Sequence, residues 1–392
     1  MNRRDFLQAA GLLGIGTSMG LAGCSKPWLD LDIDSNFSGD VIIIGAGAAG
    51  IAAAHALDQY GINFQILEAS NKYLGRIAKE NADGFIWDSG AEWLHAKPKT
   101  LSDMAESVAV SDTYELLHYS PADVAIFDGT EIYDNPGFSS VYGEYKFRNG
   151  GWYDFFATYF LPDLTDRIKQ IAVVTKIDYS GDRILVETDQ GVVYTADRVI
   201  CTVPLSIYKN EGIEFIPSWP SEKVNALDQV DMPDGIKVLF ECTEQFYPDI
   251  LGFDSLLGLL SGEALYYNAT YGREEDRSFL ALFAVGDMAT PYAQVEGFEE
   301  SFAYMKDDIA RIFGSSARDK ANVWHIQNWS KLPYIQGSYS HYKDFSAMDI
   351  LAEPLDGRVY FAGEALSQNA PSTVHGAFQT GLDTVERLLI EA

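Results

Sequence analysis

Residues 40–50 read DVIIIGAGAAG, and this stretch decides the fold. Its first half is a continuous apolar run rich in β-branched residues, which is typical of a parallel strand covered on both faces. The Ala-rich segment from Ala48 to Tyr60 predicts a helix closed by Gly61, and residues 63–67 predict a second strand. The sequence therefore predicts a β-α-β unit.

The glycines of this turn have the spacing of a dinucleotide-binding motif. We expect Gly45 to make the tight turn, Gly47 to let a pyrophosphate approach the backbone, and Gly50 to let helix and strand pack closely. The free N–H groups at the helix N-terminus favour phosphate. Glu68 ends the second strand, where a carboxylate accepts hydrogen bonds from ribose hydroxyls and repels a 2′-phosphate, so NADP is disfavoured.

Length and composition indicate one compact body of about two domains, because 392 residues with 47% apolar content can bury a large core. The formal net charge of −29 makes nucleic acid an unexpected partner. A field of that sign could concentrate cationic amines. The alternative is a solvated acidic surface that keeps an exported protein soluble.

Residues 1–24 are interpreted as an export signal and residues 25–38 as a tether. Arg3 and Arg4 precede a Gly-rich apolar stretch that is too short to span a bilayer stably, and the pattern resembles a twin-arginine signal. Residues 21–24 read LAGC and resemble a bacterial lipobox, which implies lipidation of Cys24 and a periplasmic, membrane-anchored protein. The alternative is an ordinary cleaved signal with an incidental cysteine. Cys201 and Cys242 lie in apolar runs, so no disulfide framework is expected.

Further blocks follow the β-α-β unit in a fixed order. They are EASNKYLGR (68–76), DSGAEWLH (88–95), ADRVICTVPL (196–205), GIKVLF (235–240), QGSYS (336–340), RVYFAGE (358–364) and TVHGA (373–377). In this order the blocks resemble the flavin-containing amine oxidases, a family that includes monoamine oxidases, polyamine oxidases and flavin-dependent histone lysine demethylases. The resemblance covers most of residues 40–392.

The resemblance implies an α/β fold with two domains. A Rossmann-type, discontinuous FAD-binding domain would comprise residues 39–96, 148–206 and 356–392. A smaller α+β substrate domain with a mixed sheet would comprise residues 97–147 and 207–355.

The resemblance also implies that FAD is the cofactor and that it is bound noncovalently, because Ser338 stands where monoamine oxidases carry the cysteine bonded to flavin. Arg76 is expected at the pyrophosphate, Val174 at the adenine and Glu364 at the ribityl chain, while Ser70, Lys72 and Leu74 depart from the family pattern. The predicted cofactor-binding residues are Gly45, Gly47, Ala49, Gly50, Glu68, Ala69, Gly75, Arg76, Gly90, Ala91, Glu92, Trp93, Val174, Gly363, Glu364, Thr373, Val374 and Ala377.

Lys237 is the candidate catalytic residue, because the resemblance implies that it holds a water beside flavin N5. Its neighbours Ile236 and Val238 point to the opposite face of an alternating strand. A cation there would stabilise developing negative charge on reduced flavin. An exposed strand lysine is the alternative.

The candidate substrate contacts are Tyr339, His95, Trp329 and Thr373. Tyr339 would form one aromatic wall of the substrate cage, whereas Thr373 stands where monoamine oxidases have the second aromatic residue. Trp329, in an apolar run interpreted as a strand, is more often a core residue, and His95 is as readily a structural histidine.

The resemblance implies hydride transfer from an amine to flavin, with water hydrolysing the product and dioxygen reduced to hydrogen peroxide. Two alternatives stay open. One is an FAD-dependent desaturase or dehydrogenase acting on a non-amine or amino-acid substrate, and the other is a non-catalytic FAD-binding lipoprotein. The sequence does not predict the oligomeric state.

Overall fold

The computed structural model describes residues 33, 35–106, 109–135, 144–253 and 262–392. The predicted export signal, the lipidation site Cys24 and most of the predicted tether lie outside these ranges. Within them, none of the helices has the length and apolar character required to cross a membrane.

The β-α-β unit is part of a five-stranded parallel sheet. Its strands, in spatial order, are Val359–Phe361, Arg198–Cys201, Val41–Ile44, Phe64–Leu67 and Ile168–Lys169. The central strand Val41–Ile44 is buried at every position, as its apolar run predicts. Segments that are distant in sequence therefore build one sheet, and the expectation of a discontinuous Rossmann-type arrangement is confirmed.

Two long helices pack against each other on one face of the parallel sheet. Ala48–Gln59 follows the glycine turn, and Val374–Glu391 ends the chain. A Cβ at Gly381 would lie 2.2 Å from the carbonyl oxygen of Ala49, so the glycine permits a close approach of the two helices.

A four-stranded sheet packs against the other face of the parallel sheet, and both contribute to one apolar cluster. Its strands, in spatial order, are Val193–Ala196, Ile184–Thr188, Val174–Asp178 and Glu214–Ile216. Val174–Asp178 and Ile184–Thr188 form an antiparallel hairpin. The boundary placed after residue 206 does not follow the packing, because Glu214–Ile216 pairs in parallel with Val174–Asp178.

A seven-stranded mixed sheet forms the second main layer. Its strands, in spatial order, are Ala321–Asn328, Gly235–Cys242, Ser278–Gly286, Gly262–Asn268, Ile250–Phe253, Val124–Phe127 and Ile132–Asp134. The pairing of Ile250–Phe253 with Val124–Phe127 is parallel, whereas the other pairings are antiparallel. The predicted mixed sheet is therefore confirmed.

The two faces of the seven-stranded sheet have different neighbours. Ile236, Val238 and Phe240 belong to the cluster that includes buried residues of the helix Phe298–Phe313. Leu239 belongs instead to a cluster with Trp87. Alternation along the strand therefore turns Lys237 toward the segment that contains Trp87.

Short elements complete the described chain. Three two-stranded pairings join Lys79–Ala82 with Phe85–Asp88, Leu116–Tyr119 with Glu144–Phe147, and Val230–Asp231 with His341–Tyr342. The further α-helices are Lys99–Met104, Val110–Thr113, Trp152–Tyr159, Leu161–Leu164, Leu205–Lys209, Ser221–Leu227, Thr290–Ala293 and Ala347–Ala352. The 3-10 helices are Thr165–Arg167, Ser315–Asp319, Trp329–Lys331 and Glu364–Leu366. Trp329 thus begins a 3-10 helix, and its assignment to a strand is wrong.

Candidate functional site

The glycine turn has the geometry that its spacing predicts. Gly45 has a φ of +102°, which L side chains rarely adopt. A Cβ at Gly50 would lie 2.0 Å from the carbonyl oxygen of Gly45, whereas a Cβ at Gly47 would meet nothing within 4 Å. The turn therefore needs Gly45 and Gly50 for its own packing, and Gly47 leaves open space for a ligand at the N-terminus of the helix that begins at Ala48.

Glu68 lies beneath this turn as predicted. Its Oε2 accepts a 2.8 Å hydrogen bond from the Ala46 N–H, and its Oε1 accepts one of 2.8 Å from the Ser70 N–H. Each carboxylate oxygen can accept a second hydrogen bond, so capacity for ribose hydroxyls remains. Val174 is buried in the same cluster as Leu67, the residue that precedes Glu68. Together with open Gly47, this donor and acceptor set fits FAD.

Arg76 and Glu364, predicted from separate blocks, meet in the structure. Arg76 Nη1 donates to Glu364 Oε1 at 2.9 Å and to the Ser338 carbonyl at 2.7 Å. Glu364 also accepts from the N–H and Oγ of Ser340 and from the N–H of Ser372. With 26% of its side chain exposed, Arg76 retains N–H groups for an anion such as a pyrophosphate. The carboxylate of Glu364 binds protein donors on both oxygens, so its main structural role is to join three segments.

Gly363 precedes this carboxylate with a φ of +153° and open space at its Cβ position. Gly75 also has a positive φ, of +56°, and a Cβ there would lie 3.7 Å from the Cα of Gly47. The backbone of Gly363 is therefore open to a ligand, whereas the backbone of Gly75 lies close to that of Gly47.

Thr373 caps the final helix rather than presenting a free hydroxyl. Its Oγ1 accepts a 3.0 Å hydrogen bond from the Gly376 N–H and donates to the Ala370 carbonyl at 2.8 Å. The helix begins at Val374, and Ala377 is buried in its second turn. The block at residues 373–377 therefore forms the N-terminus of the final helix. The hydroxyl of Thr373 is engaged in the cap and cannot also bind a substrate without losing it.

Lys237 is buried, with 3% of its surface exposed, so the alternative of an exposed lysine is wrong. Its Nζ donates to the carbonyls of Asp88 and Gly90, and it forms a 2.7 Å ion pair with Glu92 Oε2. Three protein acceptors match the three N–H groups of an ammonium. The geometry therefore supports a fixed positive charge rather than the water-holding role that the resemblance implies.

Glu92, which the resemblance places among the cofactor-binding residues, is a paired carboxylate in the structure. One oxygen pairs with Lys237 and the other with Lys146, and Tyr267 donates its hydroxyl hydrogen to the same carboxylate. Burial alone would raise the pKa of Glu92, but the two lysines outweigh it and hold this pKa far below its ordinary value. Asp88 has the opposite balance, because burial and the neighbouring charge of Glu92 raise its pKa to about 8.

The segment 88–95 is held against other predicted site residues. Gly90 allows this, since a Cβ there would lie 2.0 Å from the carbonyl oxygen of Arg76. The N–H of Ala91 donates to that same oxygen at 3.1 Å, and Trp329 Nε1 donates to the Ser89 carbonyl at 3.1 Å. Ala49 lies in the first turn of the helix Ala48–Gln59, and Ala69 directly follows Glu68.

Trp93 lies in an aromatic group of this region. Its ring contacts Tyr119 and Tyr267 in edge-to-face geometry, with centroid distances of 4.8 and 5.6 Å. Its ring is therefore part of the aromatic group that packs around Lys146 Nζ, which lies 4.5 Å from the ring centroid.

Tyr339 and His95 each bind a carboxylate that the sequence analysis missed. The Tyr339 hydroxyl donates to Glu263 Oε1 at 2.6 Å, and His95 Nδ1 lies 2.7 Å from Glu144 Oε1. Burial raises the pKa of Glu263 to about 7, although Tyr339 and His95 act in the opposite direction. Burial opposes protonation of His95, but the hydrogen bond to Glu144 and the negative charges of Glu144 and Glu263 together outweigh it and raise the pKa of this histidine.

Sheet register places Glu263 on the same face as Lys237. Glu263 pairs with Val285, which pairs with Gly235, and residues two apart on a strand share a face. A glutamate in the otherwise apolar alternating strand Gly262–Asn268 was the available signal, but only the register shows which face it occupies.

Ser338 is consistent with noncovalent cofactor binding. Its Oγ donates to the Pro233 carbonyl at 2.9 Å, and a serine hydroxyl forms no thioether with flavin. Within the described ranges, no group of His, Cys, Asp and Glu residues is arranged to hold a metal ion.

The glycine turn, Glu68 and the parallel sheet define a protein of the dinucleotide-binding class. A family model described as "Flavin containing amine oxidoreductase" matches residues 48–158 and 142–389. The chain belongs to this family, whose members are FAD-dependent oxidoreductases.

Individual relatives agree with this assignment. The chain is 24% identical to lysine-specific histone demethylase 2 of Homo sapiens, in an alignment that covers 98% of this chain and 57% of that protein. It is 28% identical over 229 residues to polyamine oxidase 1 of Zea mays, covering 57% of this chain and 45% of that protein. The chain thus spans about half the length of these curated relatives.

Solved structures share the fold. Cyclohexylamine oxidase from Brevibacterium oxydans IH-35A superimposes with a TM-score of 0.73 at 16% identity, covering 91% of this chain and 99% of that chain. A variant of putrescine oxidase with redesigned cofactor binding superimposes with a TM-score of 0.72 at 17% identity, covering 91% of this chain and all of that chain.

Proposed function

We propose that this protein oxidises an amine at a C–N bond, with dioxygen as the electron acceptor and hydrogen peroxide as a product. The observation that carries the proposal is the meeting of Lys237 with residues 88–90, two sites predicted separately to lie at the flavin. Tyr339 adds support, because it bonds to Glu263 on the same face of the sheet that presents Lys237. The names of the similar proteins, which include polyamine, putrescine and cyclohexylamine oxidases, agree with an amine substrate.

When bound, FAD supplies the hydride acceptor for the carbon beside the amine nitrogen and passes the electron pair to dioxygen. Residues of the chain supply the fixed charge and the substrate contact. Lys237 holds a positive charge against the backbone of Asp88 and Gly90, where it stabilises negative charge that develops nearby. Tyr339 presents a ring whose orientation is fixed by the bond from its hydroxyl to Glu263.

The carboxylates beside Tyr339 favour a cationic substrate. Glu144 contributes negative charge, and Glu263 adds a second negative charge as it ionises near pH 7, whereas a protonated His95 balances only one of the two. An amine that arrives as an ammonium is attracted to such a site, and the net charge of −29 acts in the same direction over longer distances.

Anaerobic mixing of the FAD-loaded protein with a panel of polyamines, monoamines and amino acids tests the proposal. We expect at least one amine to bleach the flavin absorbance, and admission of oxygen to restore it with formation of hydrogen peroxide. Bleaching by an amino acid alone would favour the dehydrogenase alternative. Bleaching by none of the panel would contradict amine oxidation for these substrate classes.

We further propose that the protein is exported by the twin-arginine route and anchored to a membrane of the bacterial envelope through lipid on Cys24. The support is the sequence pattern of residues 1–24 alone. Expression with radiolabelled palmitate should label the wild type and not Cys24→Ala. Labelling of both proteins, or of neither, would contradict the anchor.

A further inference from the structure

A second buried lysine lies on the other side of Glu92 from Lys237. Lys146 has 2% of its surface exposed, and its Nζ forms an ion pair with Glu92 Oε1, whereas Lys237 pairs with Oε2. The two lysines come from different parts of the fold, the strand Glu144–Phe147 and the strand Gly235–Cys242. The proposed chemistry gives a role to Lys237 but none to Lys146.

Lys146 keeps its charged form although it is buried, because aromatic rings and Glu92 surround its ammonium. Its Nζ lies 4.5 Å from the ring centroid of Trp93, 4.8 Å from that of Tyr267 and 4.9 Å from that of Tyr119. Cation–π attraction of this kind is strongest when the cation is shielded from water. Burial lowers the pKa of Lys146 to about 8, with Glu92 acting against that shift, so the ammonium still predominates at neutral pH.

Glu92 links this cation to Lys237. The remaining acceptors of Lys237 are two backbone carbonyls, which direct the ammonium but carry no net charge. A buried carboxylate stays ionised only if nearby charge compensates its desolvation, and two lysines supply that compensation. The other charged or titratable groups that face this cluster are Asp88, Arg273, Tyr267 and Tyr119.

The charges of the three residues sum to one net positive charge. If Lys146 were neutral, Glu92 and Lys237 would form an isolated pair with no net charge, and the carboxylate would be free to shift toward Lys237. The ammonium of Lys237 would then lose its balanced position between Glu92 and the carbonyls of residues 88 and 90.

We propose that Lys146 is a positioning residue, which acts through Glu92 to hold the Lys237 ammonium against residues 88–90. This inference rests on the proposed function only in that residues 88–90 and Lys237 lie at the flavin. It needs no knowledge of the amine substrate.

The experiment uses FAD-loaded protein whose flavin is reduced chemically with dithionite, so it succeeds even if every amine tested is inert. Lys146→Met is compared with Lys146→Arg, Glu92→Gln and the double variant Lys146→Met/Glu92→Gln. Lys320→Met is the matched control, because Lys320 pairs with Glu244 on the exposed surface. The readouts are the rate of flavin reoxidation by oxygen and the midpoint potential of the bound flavin.

We expect Lys146→Met to slow reoxidation about tenfold, within the range that coupled neighbours produce. The midpoint potential should become more negative, Lys146→Arg should restore both values, and Lys320→Met should change neither. In the Glu92→Gln background the reoxidation effect of Lys146→Met should largely vanish. An equal slowing in both backgrounds would show that Lys146 acts directly, and no slowing in either would show that it is only structural. Each result would overturn the proposal.

A second measurement keeps the test decisive if Lys146→Met folds poorly. Glu92→Gln removes the link while retaining both lysines, and it should also slow reoxidation and alter the midpoint potential. Wild-type values for both quantities in a folded, FAD-loaded Glu92→Gln protein would refute the proposed link.

Discussion

Replacing Glu364 by Gln should weaken the junction of three site segments. The carboxylate accepts from Arg76, from the N–H and Oγ of Ser340, and from the N–H of Ser372, and its side chain is only 8% exposed. An amide has one oxygen and one NH₂ group. With its oxygen toward Arg76, the NH₂ group faces the Ser372 N–H, so two donors meet and one backbone group loses its acceptor.

The expected loss of unfolding free energy can be worked out from these contacts. An unsatisfied buried N–H costs about 1–3 kcal/mol, and a hydrogen bond to a charged group contributes about 1.5–3 kcal/mol. Arg76 can be partly rehydrated, because 26% of its side chain is exposed and it retains the Ser338 carbonyl. We therefore expect the free energy of unfolding to fall by about 3 kcal/mol, at the lower end of the range for a broken buried ion pair.

The assay is urea unfolding of the FAD-loaded protein, repeated at two concentrations of excess FAD to separate the contribution of ligand binding. Glu353→Gln is the matched control, because Glu353 pairs with Arg387 at 2.8 Å but has 64% of its side chain exposed. Such an exposed pair contributes about 0–1 kcal/mol. If the two variants lose the same stability at unchanged m value, the reasoning about the junction is refuted.

Further predictions concern three single residues. Lys237→Met should retain FAD but slow reoxidation of dithionite-reduced flavin in stopped-flow measurements, since the fixed positive charge is lost; an unchanged rate would show that the lysine is structural. For a diamine substrate, KM should fall as pH rises through about 7, where Glu263 ionises, and Glu263→Gln should abolish that dependence; equal pH profiles would exclude the role. Because the folded-state pKa of Glu263 is raised from its ordinary value of 4.5 to about 7, wild-type stability should decline relative to the glutamine variant as the pH rises from about 4.5 to about 7 and then level off, which thermal unfolding at several pH values would show. Thr373→Ala should lower the unfolding free energy by about 1 kcal/mol through loss of the helix cap, and a change below the error of urea titration would contradict the cap assignment.

The β-α-β unit could be predicted from sequence because its determinants are local. Apolar runs, the spacing of Gly45, Gly47 and Gly50, and Glu68 at the strand end all act within one short segment. The hairpin at Val174 and the N-terminus of the final helix are local in the same sense. The sequence also indicated Lys237 as the candidate catalytic residue, because strand alternation and the position of this lysine in the block 235–240 both favour it.

Charged partners could not be predicted, because they depend on which strands become neighbours. The pairing of Glu92 with Lys146 and Lys237 joins three segments, and neither lysine is near the glutamate in sequence. The sequence therefore predicts Glu92 as a cofactor-binding residue, whereas in the structure its carboxylate pairs with two buried lysines. Only the register of three antiparallel strands shows that Glu263 lies on the same face of the sheet as Lys237.

The sequence by itself thus determined the dinucleotide-binding unit and the family, because local patterns and the order of motifs do not depend on contacts between distant segments. Only the tertiary structure decided the ionisation and orientation of the buried charges. Burial favours the neutral form of each group, and the compensating charges come from strands that meet only when the sheets assemble.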